Sequence, residues 1–242
     1  MAAFQSLYRK HRPQTFGELV GQEQVSTALR NAVREGRVGH AYLFSGPRGT
    51  GKTTTARVLA KALNCEQRQG QDPGDGEPCN ACVSCTEITS GTSMDVVELD
   101  AASNRGVNEM RSLLERVAYR SAGGNWKVYI VDEVHMLTKE ASATLLKTLE
   151  EPPGHVIFVL ATTDPQMVLP TIRSRTQHFE FGLLSVDQLA GHLVEIARRE
   201  GVESDAETVS LLARRAGGSA RDALSLLDQA LAYGEGKLVP EQ

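Results

Sequence analysis

Ser45-Gly46-Pro47-Arg48-Gly49-Thr50-Gly51-Lys52-Thr53, followed by Thr54, is the stretch on which the reading of this 242-residue chain turns. Gly46 to Thr53 fits the phosphate-binding pattern G-x-x-x-x-G-K-[ST]. The flanks agree with it. Ala41-Tyr42-Leu43-Phe44 is a short apolar run of strand type, and Thr54 to Leu63 puts Ala56, Leu59, Ala60 and Leu63 on one helical face. Between strand and helix, the glycines let backbone N–H groups curl around a polyphosphate, and the helix N-terminus adds partial positive charge. There Lys52 reaches the β- and γ-phosphates, and the Thr53 hydroxyl helps to hold Mg²⁺. A glycine-rich turn with a chance Gly-Lys-Thr would leave both flanks unexplained. The pattern predicts a nucleoside triphosphate site.

Downstream, strand-like runs recur at Val96–Leu99, Lys127–Val131, Val156–Leu160 and, shorter, Gln177–Phe181. Helical segments at Val107–Arg120 and Lys139–Leu149 separate the first three, so the pattern predicts a parallel sheet covered on both faces. Val128-Tyr129-Ile130-Val131 runs into Asp132-Glu133. In phosphate-loop enzymes the acid at this strand end coordinates Mg²⁺, the part assigned to Asp132. A second acid beside it can activate the attacking water, the part assigned to Glu133. Two solvated acids capping the next helix are the plainer reading. Thr162-Thr163 ends the following strand; a hydroxyl there would face the γ-phosphate, because ligands sit at the carboxyl ends of parallel strands, although a threonine at a strand end, taken alone, is usually structural.

After Phe181 the strands stop. Ser185-Val186-Asp187-Gln188 fits a capping box that opens a helix to about Glu200. A second helix spans Asp205 to Ala216, closed by Gly217-Gly218, and a third spans Ser219 to Tyr233, followed by Gly234. The expected division is residues 1–181 as the nucleotide-binding domain and 182–242 as a three-helix domain.

A net charge of −4 and a pI near 5.9 argue against a generally basic surface, so a nucleic-acid partner would have to meet a local patch or several subunits together. No run approaches the roughly 18 apolar residues of a membrane span, and Met1-Ala2-Ala3-Phe4-Gln5-Ser6 lacks the apolar core of a secretory signal. The expected location is cytoplasmic. All four cysteines, Cys65, Cys79, Cys82 and Cys85, fall between residues 64 and 86. Two overlapping C-x-x-C steps plus a fourth cysteine suit tetrahedral Zn²⁺ held by four thiolates. A disulfide pair or an iron–sulfur cluster uses the same residues but finds no support elsewhere in the chain. The residues from Phe4 to Gln22, with Arg9, Lys10, His11 and Arg12, read by composition as a solvated cationic tail, and alternatively as a cover over an adenine ring. Arg175 and Arg221 are either surface arginines or γ-phosphate ligands.

Together these motifs closely resemble the AAA+ ATPases and, within them, the gamma/tau subunits of the bacterial DNA polymerase III clamp loader. The resemblance covers essentially the whole chain. It rests on Arg12-Pro13 with Phe16 and Val20-Gly21-Gln22, on His40 to Gly46, and on the cysteine insertion. It rests equally on Asp132 to Leu137, Leu145 to Pro153, Ala161 to Gln166, and Arg221 to Leu226. The resemblance implies an α/β P-loop fold with a parallel five-stranded sheet, a four-cysteine zinc insertion and a three-helix lid. It implies that Arg12, Val20 and Gly21 belong to the adenine-side element, that Thr163 is the sensor-1 residue and that Arg221 is the sensor-2 arginine. Arg175 would be an arginine finger acting on ATP held by the next subunit. The family usually has Ser-Arg-Cys where this chain has Ser174-Arg175-Thr176, with the arginine intact.

The implied work is ATP-driven opening of a sliding clamp and its loading onto primer–template DNA in chromosome replication, by a hetero-pentamer of loader subunits in the nucleoid-associated cytoplasm. Ser103-Asn104-Arg105, at the start of a helix after the second strand, is the candidate DNA contact, and by position alone equally a helix cap. A nucleotide-binding scaffold subunit and a branch-migration motor are the alternatives. Intact Lys52, Thr53, Asp132 and Glu133 argue against the first, and the cysteine insertion against the second. The family's C-terminal collar, and the regions that meet polymerase and helicase, are expected beyond Gln242.

Overall fold

The computed structural model describes residues 5–68, 74–115, 117 and 126–233. A single turn α1 (Leu7–Lys10) and a non-helical stretch lead into α2 (Glu23–Arg34), then β1 (Ala41–Ser45) and α3 (Lys52–Asn64). Next come α4 (Val83–Ser90), β2 (Val96–Asp100), α5 (Val107–Glu115), β3 (Lys127–Asp132), α6 (Lys139–Glu150), β4 (Val156–Thr162), α7 (Pro170–Arg173) and β5 (Gln177–Glu180). The chain then becomes helical: α8 (Val186–Arg199), α9 (Ala206–Arg215) and α10 (Ala220–Tyr233). The expected ends of the helix from Val107 at Arg120 and of the last domain at Gln242, and Gly234, lie outside the described residues. So do residues 69–73 of the cysteine insertion.

Among the described residues the sheet has five strands in the order β2-β3-β4-β1-β5, with every described pairing parallel. The strands are apolar without alternation because both faces are covered. Tyr42, Phe44, Val128, Ile130, Ile157 and Val159 point toward α2 and α3. Leu43, Tyr129, Val131, Phe158 and Leu160 point toward α5 and α6. The register aligns Ser45 with Thr162 and Asp100 with Asp132, so the carboxyl ends of β1, β2, β3 and β4 share one edge.

The three terminal helices have a core of their own, with Leu189, Leu193, Ile196, Val209, Ala213 and Leu227, and Leu7 from the N-terminal arm belongs to it. Ser185 and Gln188 form the capping box of α8, and Asp205 caps α9 by accepting from Thr208 N. Among the described residues no helix is long and apolar enough to cross a membrane.

The arm corrects the composition-based reading. It is not a solvated tail, because Phe16 and Leu19 are buried in the core between β1 and α2. Its cations form one run, Arg9 to Arg12, between the buried Leu7 and the buried Phe16 and Leu19, a distinction composition does not carry.

Candidate functional site

The phosphate loop leaves β1 at Ser45 and enters α3 at Lys52. Gly46, Gly49 and Gly51 all have positive φ (140°, 78° and 102°), backbone that L side chains rarely adopt. At Gly49 a Cβ would also lie 2.0 Å from Ser219 Oγ and 3.2 Å from Arg221 Cβ, so the lid closes directly on the loop. Gly49→Ala is therefore expected to cost about 1–3 kcal/mol through backbone strain and to push the lid away. Chemical denaturation and nucleotide titration check this; an unchanged midpoint and unchanged affinity would contradict the contact. The buried Lys52 donates from Nζ to the carbonyls of Gly46 (2.7 Å) and Pro47 (2.8 Å). Burial pulls its pKa down, and Glu133 and Asp132 push the other way.

Across from the loop, β3 delivers its acids. Thr53 Oγ1 donates to Asp132 Oδ2 at 2.8 Å, and Asp132 Oδ1 accepts from the Glu133 N–H at 3.0 Å. A hydroxyl and a carboxylate oxygen side by side are the hard donors that Mg²⁺ takes, so these residues fit that ion. Glu133 sits in the left-handed region (φ 49°, ψ 46°), a costly conformation for a glutamate that concentrates at functional sites. Its Oε2 accepts from Thr163 N (3.1 Å) and Thr163 Oγ1 (2.9 Å). The fold thus brings Glu133 and Thr163, thirty residues apart, into direct contact. His135 stands behind them, with Nδ1 2.9 Å from Thr162 Oγ1 and 3.5 Å from Glu133 Oε2. In the sequence His135 falls within the matching stretch Asp132 to Leu137, but nothing there gave it a role.

The arm and the lid close the site. A cleft of about 860 Å³ runs from the loop past Asp132 and Glu133 to Tyr8, Arg12 and Val20 on the arm and His192 and Arg221 on the lid. Arg12 Nε donates to Thr54 Oγ1 at 3.0 Å. Burial, then the nearby Arg57, pushes the Arg12 pKa down to about 10, which leaves it cationic at neutral pH. Gly21 (φ 70°) passes 3.0 Å, measured from a would-be Cβ, from Leu184 Cγ, and Gln22 Nε2 bonds the Gly182 carbonyl at 2.9 Å. The guanidinium of Arg221 lies 4.9 Å above the ring of Tyr8. Tyr8 and His192 escaped the sequence reading. Tyr8 carries no motif, and His192 occupies an ordinary position of an amphipathic helix. Burial, followed by Arg199 and His11, lowers the His192 pKa and favours the neutral ring.

Arg175 is not in this cleft. It lies between α7 and β5, where Nη2 meets Glu150 Oε1 at 2.9 Å and Nη1 donates to the Thr171 carbonyl at 2.9 Å. Ser103 Oγ bonds Asp100 Oδ2, Asn104 Nδ2 bonds the Asp100 carbonyl, and Arg105 Nε reaches the Met136 carbonyl, so all three hold the turn after β2.

At the far end of α3, the sulfur atoms of Cys65, Cys79, Cys82 and Cys85 lie within 4.8 Å of one another. Zn–S bonds of about 2.3 Å in a tetrahedron need S···S separations of roughly 3.8 Å, so a small contraction fits zinc. The backbone supports thiolates here. The Cys79 N–H points at Cys65 Sγ (3.4 Å), and the Ala81 and Cys82 N–H groups point at Cys79 Sγ (3.4 and 3.3 Å). Burial works against ionisation of Cys79, but those N–H donors pull its pKa down to about 7. Burial raises Cys85 strongly in the absence of a cation. A divalent ion at the centre supplies the charge that keeps such thiols deprotonated.

Comparison with known proteins agrees with this construction. A family described as "DNA polymerase III, delta subunit" matches residues 21–185, and one described as "DNA polymerase III clamp loader subunit, ATPase lid domain" matches residues 188–236. The chain is 51% identical over 236 residues to DNA polymerase III subunit tau of Escherichia coli, covering 98% of this chain and 36% of that protein. With subunit tau of Bacillus subtilis it shares 48% over 231 residues, 96% of this chain and 40% of that protein. With subunit gamma of Buchnera aphidicola it shares 45% over 233 residues, 96% and 63%. The chain thus spans well under half the length of the tau relatives it matches. Among solved structures, the Thermotoga maritima RuvB Holliday junction branch migration motor superposes with a TM-score of 0.69 at 22% identity, over 94% of this chain and 69% of that one, a likeness of fold. With a P-loop and its acids on a five-stranded parallel sheet, a cysteine cage after α3 and a helical lid, this chain belongs to the DNA polymerase III clamp-loader subunits of the AAA+ class, on their gamma/tau branch.

Proposed function

We propose that this chain is the ATP-hydrolysing part of a clamp-loader subunit, which uses ATP to open a sliding clamp and place it on primer–template DNA. The observation that carries the reading is the 2.8 Å bond between Thr53 and Asp132, which puts the acids of β3 against the phosphate loop with Glu133 next in line. Lys52 and the loop amides would bind the phosphates, and Arg12, Val20 and Gly21 would flank the nucleoside. Magnesium at Thr53 and Asp132 would neutralise phosphate charge. Glu133 would take the proton of the attacking water once Thr163 releases its carboxylate toward the γ-phosphate. Arg221 would report the phosphates to the lid, and Arg175 would serve the site of the adjoining subunit. Other loader subunits, clamp and DNA are the proposed partners, and the cytoplasm, at the replicating chromosome, is the proposed location.

The test is steady-state ATP hydrolysis by the full-length protein in its reconstituted loader, with and without primer–template DNA plus clamp. Strong stimulation that Lys52→Ala abolishes is expected. Basal turnover that DNA and clamp leave unchanged would leave an ATPase without a clamp-loading role.

A further inference from the structure

The helix that starts the nucleotide site also ends at the metal cage. Lys52 opens α3, Asn64 closes it, and Cys65 follows at once. Thirteen residues at 1.5 Å each place the two sites about 20 Å apart on one rigid element. A second connection runs beside that helix, and it starts from side chains to which no role has been given above.

It begins at Glu77, two residues before Cys79. Its Oε2 accepts from Phe16 N (2.7 Å), its Oε1 accepts from Gly17 N (3.0 Å), and Arg30 of α2 faces the same carboxylate at 3.7 Å. Phe16 is buried, so its N–H needs an acceptor, and a carboxylate gives a stronger bond than a neutral group. Gly76 makes the delivery possible. At φ 92° a Cβ would lie 2.5 Å from the Arg30 carbonyl, so only glycine lets the insertion press this close to α2.

A parallel link starts from Cys85. Thr89, one turn later on α4, donates to the Cys85 carbonyl at 2.8 Å and also lies 3.2 Å from Gln14 Oε1. Gln14 is held on three sides. Its Oε1 takes the buried Lys61 ammonium at 2.7 Å, its Nε2 donates to the Arg12 carbonyl at 2.8 Å, and its own N–H donates to Glu18 Oε2 at 2.6 Å. Arg12 in turn bonds Thr54 and lines the nucleotide cleft. The path from cage to cleft is therefore continuous: Cys79 and Cys85, then Glu77 and Thr89, then Phe16 and Gln14, then Arg12.

We propose that the cysteine module is a brace for the nucleotide-binding arm, with Glu77 and Thr89 as positioning residues, so that filling the metal cage tightens binding of the nucleoside. Zinc supplies folding free energy to a module of this kind. Without that energy the insertion no longer fixes Glu77 and Thr89, and the arm loses the two polar anchors that the insertion gives it. Coupling of this kind is reciprocal, so bound nucleotide also slows loss of the metal. The phosphates belong to the loop, which depends on Gly49 to Thr53 and not on the arm. The brace therefore acts on the nucleoside part of the ligand and leaves the polyphosphate part alone. This inference rests on the nucleotide-binding reading above.

The experiment measures affinity of the full-length protein for ATP and for inorganic tripolyphosphate by competition against a fluorescent nucleotide, with bound zinc determined by elemental analysis. Both ligands must bind the wild type and be lost in Lys52→Ala; if neither binds the wild type, the nucleotide reading fails and the brace with it. Glu77→Gln keeps the shape but leaves one acceptor for two N–H groups. It is expected to keep its zinc and weaken ATP by about tenfold, within the ordinary range of coupling between sites, while tripolyphosphate binds as before. Thr89→Val is expected to show the same selectivity at about threefold, the worth of one neutral hydrogen bond. It decides the matter should Glu77→Gln fail to fold. Wild-type protein stripped by a chelator should behave like Glu77→Gln. An unchanged ratio of ATP to tripolyphosphate affinity, with both weakened equally or neither weakened, overturns the brace and leaves the nucleotide site standing.

Discussion

A loader carrying Arg175→Ala is expected to hydrolyse ATP about 10³-fold more slowly than the wild type, with nucleotide affinity unchanged. Two observations lead there. The guanidinium stands outside the cleft that holds Lys52, Asp132 and Glu133, away from the phosphate loop of its own chain. Its present partner is also a weak one. Arg175 and Glu150 remain 37% and 46% exposed, and an ion pair that open to water contributes about 0–1 kcal/mol. Such a contact holds the side chain ready without binding it tightly. Arginine suits a transferring phosphoryl group because its fork carries a permanent charge and several donors in one plane. The measurement is single-turnover hydrolysis beside equilibrium nucleotide binding and thermal unfolding. Full turnover in the variant would remove Arg175 from the active site. Lost ATP affinity would instead place it in the site of its own chain.

The second large effect is expected at Glu133. Glu133→Gln should slow hydrolysis by about 10²–10⁴-fold, the usual worth of a general base, and leave ATP binding intact. The carboxylate now accepts from both the amide and the hydroxyl of Thr163, and an amide oxygen could satisfy one of these donors in almost the same shape. The substitution therefore removes the proposed proton acceptor with little disturbance of the strand ends. Rapid-quench hydrolysis with a parallel binding titration checks it. Unchanged turnover would show that the proton leaves by another route, with His135, 3.5 Å away, the first group to examine.

Much of this architecture was legible because the informative residues are close in sequence or follow a simple period. Gly46 to Thr53 is a local pattern whose geometry is local too. The strand into Asp132-Glu133 reads directly as a buried element with two acids at its end. The capping box at Ser185 and Gln188 marked the start of α8 where the structure has it. What escaped depends on distance. Glu77 lies in a Gln-, Gly-, Asp- and Pro-rich stretch that reads as loop, and its partners Phe16 and Gly17 are some sixty residues away. The helix α4 has the sequence VSCTEITS, with buried positions only at Cys85 and Ile88, too short and too polar for a helical period to show. The arm looked like a tail because composition counts its cations and does not see Phe16 enter the core. The Tyr8–Arg221 contact joins opposite ends of the described chain. No window along the sequence contains both residues.

The strand order carries a consequence for how the chain is made. Among the described residues the loop strand β1 pairs only with β4 and β5, residues 156–180, so these partners arrive after more than a hundred further residues have left the ribosome. At ordinary synthesis rates that wait is on the order of ten seconds, during which Ala41-Tyr42-Leu43-Phe44 is an unpaired apolar segment. The cysteine insertion lies on the other side of this divide. Its four thiols come from residues 65–85, and its cage can close from local chain alone while β4 is still unwritten. A nascent chain that captures its metal early would carry an ordered end of α3 through the interval, and the last strands to emerge would complete the sheet around a helix already anchored.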